Sequence, residues 1–147
     1  NGLQYASDSL KADREVVLVA VKESGQALKF ADDSLRADRE VILEAVTNNG
    51  FALEYADKNL KANRKLVLEA IRSRGIALEY ADDTLRADRE VVLVAVRNYA
   101  NGLQYASDSL KADREVVLEA VKRNGSALEY ASEELQNDPE LKKLAED

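Results

Sequence analysis

The 147-residue chain contains no cysteine, histidine, methionine or tryptophan, and only one proline, Pro139. Without cysteine there is neither a disulfide framework nor a thiolate metal site. Without histidine, the commonest general base and metal ligand is also missing. Aromatic residues make up only 5% of the chain. No run approaches the roughly 18 consecutive apolar residues of a membrane-spanning helix, and no signal-peptide pattern is visible. No glycine-rich phosphate loop follows a strand pattern. None of these absences fixes a compartment.

What the chain does have is a period. The first 25 residues, NGLQYASDSLKADREVVLVAVKESG, are answered column for column by five further segments, which predicts repeats at 1–25, 26–50, 51–75, 76–100, 101–125 and 126–147. An internal period of this size means stacked units, each too small to bury a face alone. The predicted fold class is therefore all-α, an α-solenoid of six helix-turn-helix repeats. Charged residues make up 33% and the net charge is −7, a balance unfavourable to nonspecific nucleic-acid or anionic-membrane binding. Residues 1–22 match 101–122 except for Val19 against Glu119. The near-identity suggests a four-repeat duplication or deliberate construction, and an N-terminus cut from a longer array.

Position 13 of the repeat holds Asp13, Asp38, Asn63, Asp88, Asp113 and Asp138, all strong helix N-cap residues. Pro139 follows the last of them, where a first helical turn accepts proline. A helix is predicted over positions 13–24, ending at Gly25, Gly50, Gly75 and Gly125 in a left-handed C-cap. A shorter helix is predicted over positions 1–7, with a turn-like or 3₁₀ piece reaching position 10, because Ser and Asp at positions 7–9 favour turns. The longer helix has two apolar faces, positions 16 and 20 and positions 17 and 21, as the middle layer of a stack requires. Leu68, beside them at position 18, is read as core. In the sixth repeat Lys142, Lys143 and Glu146 replace apolar residues, the pattern of a capping unit.

The blocks Ala77-Leu78-Glu79-Tyr80-Ala81, Leu85, Asp88-Arg89-Glu90-Val91-Val92-Leu93 and Ala95-Val96 resemble a family of tandem helical repeats known only as a domain of unknown function. The resemblance covers the whole chain and implies an all-α array with no established activity. Phe30 in place of Tyr, Asn63-Arg64-Lys65 in place of Asp-Arg-Glu, and Gly102 after Ala100 depart from the pattern.

Several columns bear on function. Tyr5, Phe30, Tyr55, Tyr80, Tyr105 and Tyr130 could stack bases, but their place between apolar columns reads as packing. Arg14, Arg39, Arg64, Arg89 and Arg114, all but Arg64 flanked by acids, are expected to pair across repeats with position 8 (Asp8, Asp33, Asp83, Asp108, Glu133) rather than to bind phosphate. The doublets Asp32-Asp33 and Asp82-Asp83 lack the spacing of a calcium loop. Asn124-Gly125-Ser126 fits a glycosylation sequon but also an ordinary helix end. Phe51, Ile76 and Tyr99 are apolar where other repeats are polar, and they form the candidate partner patch. No catalytic, cofactor-binding or metal-ligating residue is assigned, and no enzyme activity is expected. The sequence favours a protein-binding scaffold, with a protein partner or self-association and no nucleic acid, membrane insertion or small-molecule substrate. A self-assembling polymer and a designed consensus array without a natural partner are the alternatives.

Overall fold

The computed structural model describes residues 2–147; Asn1, where the first repeat was expected to begin, lies outside them. Among the described residues there is no strand. The protein is an all-α repeat solenoid. Its long helices are α1 (Arg14–Glu23), α2 (Arg39–Asn48), α3 (Arg64–Ser73), α4 (Arg89–Asn98), α5 (Arg114–Arg123) and α6 (Pro139–Glu146). Each packs against the next in order. A second layer is formed by 3₁₀ segments, Gly25–Phe30, Gly50–Tyr55, Gly75–Tyr80, Ala100–Tyr105 and Gly125–Tyr130, preceded by Gly2–Tyr5. These also stack on one another and on the long helices to either side.

The shorter helix differs from its prediction. Positions 1–5 are 3₁₀ and positions 8–11 are a single α-turn, the reverse of the expected order. In a 3₁₀ helix residues i and i+3 eclipse. Gly25 therefore stands over Leu28, and both are buried with Ala27. The α-turn is started by a second set of N-caps at position 7: Asp32 accepts from the Ser34 N–H at 3.0 Å, and Asp57 and Asp82 repeat this bond. Ser7, Ser107 and Ser132 accept from the leucine three residues on. The Ser and Asp residues thus start a helical turn rather than end one.

The glycines also act differently from the prediction. Among the described residues none has positive φ. Each of the first five long helices ends in an extended residue at position 24, such as Asn49 at φ −152°, ψ 111°, whose N–H closes onto Ala45 at 2.9 Å. Gly25, Gly50 and Gly75, which follow, are buried against the next repeat, while Ala100 fills the slot after α4 and Gly125 is half-buried. A Cβ on Gly50 would fall on the carbonyl oxygen of Ala70 in α3, well inside van der Waals contact. Glycine stands here for close approach of two backbones.

The core follows the two faces of the long helices. Val17 and Val21 are fully buried on the side of α1 toward α2. In α6 the same side carries exposed Lys142 and Glu146, while Leu141, toward α5, is fully buried. Leu68 corrects its prediction. Position 18 lies at the edge of the core, with Leu68 half-buried and Leu43 39% exposed. The leucine that is fully buried in repeat after repeat is instead that of the 3₁₀ layer, Leu28, Leu53, Leu78 and Leu103.

Successive repeats are tied by one backbone bond each. The N–H of Asp32, Asp57, Asp82, Ser107 and Ser132 donates to the carbonyl of Lys11, Arg36, Lys61, Arg86 and Lys111, at 2.9–3.0 Å. Because these bonds run backbone to backbone between neighbouring repeats only, order propagates along a line and not around a common centre.

Candidate interaction surface

The N-cap side chains are the most regular polar feature. Asp13, Asp38, Asp113 and Asp138 each accept from two first-turn N–H groups, while Asn63 accepts from Leu66 at 3.1 Å and Asp88 from Val91 at 3.2 Å. The preceding repeat then supplies a guanidinium. Arg14 donates to Asp38 at 2.8 Å and also pairs with Glu40. Arg64 pairs with Asp88 and Glu90 at 3.1 and 2.7 Å, Arg89 with Asp113 and Glu115 at 3.0 and 2.5 Å, and Arg114 with Asp138 and Glu140 at 3.4 and 2.6 Å. The expected partner, position 8, is not used. Asp33 and Asp83 pair instead within their own turn, with Arg36 and Arg86. The arginine at position 14 reaches the next cap because the first turns of consecutive long helices lie side by side. Such exposed pairs contribute about 0–1 kcal/mol each and serve mainly to fix the register of one repeat on the next.

The hydrogen bond from Arg14 holds the Asp38 carboxyl below its ordinary range, against the opposing effect of partial burial. A folded value below the unfolded one means stability that is fully present above about pH 4, the ordinary aspartate range. That stability is lost as pH falls through the lower folded value. Asp38→Ala should cost about 1 kcal/mol through the lost cap. Asp38→Asn keeps a capping oxygen, as Asn63 does naturally, and should flatten the acid-side loss of stability. Thermal melts between pH 7 and pH 2 read both effects.

A further set of polar contacts escaped the sequence reading. The Asn48 side chain donates to the Lys22 carbonyl at 3.0 Å and accepts from the Gly25 N–H at 2.7 Å. Ser73 accepts from Gly50 and Asn98 donates to Arg72, at 3.0 and 3.1 Å. Position 23 thus caps the end of the preceding long helix. The recurrence of Asn, Ser and Asn in repeats two to four was the available signal.

The aromatic column packs. Phe30, Tyr55, Tyr80, Tyr105 and Tyr130 are half-buried against the core, and burial pushes the Tyr55, Tyr80 and Tyr105 hydroxyls up. Tyr5 is 83% exposed. Asp32 and Asp82 cap turns and Asp33 and Asp83 pair with arginine, so the doublets have structural duties. Among the described residues no group of three or more carboxylates is placed to hold a metal ion. No described helix is long and apolar enough to cross a membrane.

Phe51, Ile76 and Tyr99 come together. Phe51 and Ile76 are the second residues of adjacent 3₁₀ segments, and Tyr99 is the extended link after α4. With Ser73, Arg74 and Asn98 they line one open depression of about 370 Å³. Tyr99 is 37% exposed, and Phe51 and Ile76 are half-buried. The Arg74 guanidinium lies 5.4 Å from the centre of the Phe51 ring, a cation–π contact that holds the rim of the depression. Three residues 23 to 48 positions apart in sequence meet because repeats stack in register.

Comparison with protein families matches the chain over residues 1–36, 13–61, 38–86, 63–111, 88–136 and 113–145 to one family, described as Domain of unknown function (DUF4116). The chain belongs to this family. Each interior match opens on the position-13 cap and spans two successive repeats, so the DUF4116 unit includes one complete inter-repeat junction with its arginine and caps. Neither the comparison with curated proteins nor that with solved structures finds a match.

Proposed function

We propose that this DUF4116 array is a non-enzymatic scaffold that binds another protein through the Phe51, Ile76 and Tyr99 rim. The carrying observation is that three apolar departures from two successive repeats converge on one solvent-open depression beside Arg74. Scattered apolar surface residues are ordinary, whereas a contiguous apolar patch rimmed by polar groups marks a contact site. Aromatic residues and arginine are also the types enriched at interface centres. A regular array supports this use, since it presents an extended surface whose single units can vary without disturbing their neighbours. The carboxylates contribute caps and inter-repeat pairs, which leaves them without a catalytic assignment.

The test is capture from the source cell with the wild-type chain and with Phe51, Ile76 and Tyr99 all changed to Ser. The variant should keep its far-ultraviolet circular dichroism and lose the captured partner. Equal capture by the two would discard the rim. A mass that grows with concentration in light scattering would replace the scaffold reading by self-assembly.

A further inference from the structure

The arginine ladder has one broken rung, and it lies on a different surface from the rim. At four junctions the arginine at position 14 meets an Asp and a Glu of the next repeat. At the junction between α2 and α3 the corresponding residues are Arg39, Asn63 and Lys65. The cap is neutral, and the carboxylate is replaced by an ammonium. Neither Arg39 nor Lys65 has an ion pair among the described residues. Helix α3 also has no acid in its first turn, where each of the other five long helices has one. Two free cations and an uncompensated positive helix end are thus brought together.

The surroundings are apolar on one side. Arg39 and Lys65 line an open groove of about 340 Å³ between α2 and α3 with Leu43, Thr47 and Leu66. Leu43 is 39% exposed, whereas Leu93 at the same position of α4 is 8% exposed. Thr47 stands where the other complete repeats carry Lys or Arg, and its hydroxyl is turned back onto the Leu43 carbonyl at 2.7 Å. Glu44 and Glu69 also line the groove, and Glu69 is occupied by Arg72 at 2.9 Å.

We propose that this groove receives an acidic, aliphatic segment of a partner protein, whose carboxylate takes the place between Arg39 and Lys65 that the chain's own Glu fills at the other junctions. The intact rungs show what fits the cations: a carboxylate, as Glu40 meets Arg14 and Glu90 meets Arg64. A guanidinium and an ammonium together favour an anion, and the exposed Leu43 supplies apolar area for the residue next to it. The net charge of −7 works against a long polyanion while leaving a local carboxylate contact in place. The proposal does not depend on the Phe51, Ile76 and Tyr99 rim.

A phage-displayed random heptapeptide library panned on the full chain provides the probe, with the winning peptide titrated by fluorescence anisotropy. Selected peptides should be enriched in Asp or Glu next to Leu, Ile or Val. Binding should fall roughly tenfold in Arg39→Gln and in Lys65→Glu, survive in Lys65→Arg, and weaken with added salt. Lys65→Glu is the informative variant, because it restores the rung and should leave folding intact while closing the site. The Ser triple variant of the rim should bind the peptide as the wild type does. Selection without acid enrichment, equal binding by Lys65→Glu, or tighter binding of a single-stranded oligonucleotide than of the peptide would each overturn the proposal.

Discussion

Replacing Leu53 by alanine should lower the unfolding free energy by about 2–5 kcal/mol, whereas the same change at Leu68 should cost about 1 kcal/mol or less. Leu53 is fully buried in the 3₁₀ segment Gly50–Tyr55, which contacts α2, α3 and the 3₁₀ segments on both sides. Truncation there leaves a cavity among elements of neighbouring repeats, which cannot collapse into it without losing register. Leu68 is only half-buried, at the edge of the core on α3, where water can reach the lost volume. In a one-dimensional array the loss at Leu53 acts on two junctions at once. Its urea transition should therefore broaden as well as shift, with the repeats on either side beginning to unfold separately. Urea titration of the two variants against wild type measures both effects. Equal losses would mean that the 3₁₀ layer is not the core of the array.

The period, the two apolar faces of the long helices and their caps were legible because each is written in residue type at fixed spacing. The character of the shorter helix was not. Gly25, Leu28 and Ala31 recur at a spacing of three, which suits both 3.0 and 3.6 residues per turn, and the choice is made by the layer on which the segment lies. Glycine after a helix carries the same ambiguity: it suits a left-handed cap and a close backbone approach equally, and only the position of Ala70 on the next helix decides for Gly50. The arginine partners were misread because acids flank four of the five position-14 arginines along the chain, Arg14, Arg39, Arg89 and Arg114. Which of them is near in space depends on how far one repeat is displaced on the next.

The surface residues were legible in a different way. Phe51, Ile76 and Tyr99 stood out as departures from their columns, and columns 25 residues apart become neighbours in a stack, so their meeting in one depression follows from the period itself. Asn63 and Lys65 were equally visible as departures. Their consequence was hidden until the intact rungs showed that Arg39 should have found carboxylates there. A deviation in a repeat protein gains meaning from the contact its counterparts make, and that contact is absent from the linear pattern.

Gly50→Ala should destabilise the array by about 1–3 kcal/mol, while Gly102→Ala should stabilise it by about 0.4–1 kcal/mol. Both glycines are buried and neither has positive φ, so their backbone conformations suit alanine equally. The difference lies in what the new methyl meets. At Gly50 it would fall on the Ala70 carbonyl oxygen, with the Arg74 nitrogen 3.0 Å away. Both atoms belong to backbone, so α3 itself must move. At Gly102 the nearest atoms are 3.8 Å away, ordinary van der Waals contact, and Ala27, Ala52, Ala77 and Ala127 occupy the same position in other repeats. The chain has already made the first exchange once: Ala100 stands in the glycine slot two repeats on and is 8% exposed. A junction can therefore open enough to seat one methyl, which limits the loss at Gly50 to repacking and argues against unfolding. Thermal melts of the two variants should shift in opposite directions. A stabilised Gly50→Ala would show that adjacent repeats do not meet backbone to backbone, and that glycine recurs there for conformational reasons alone.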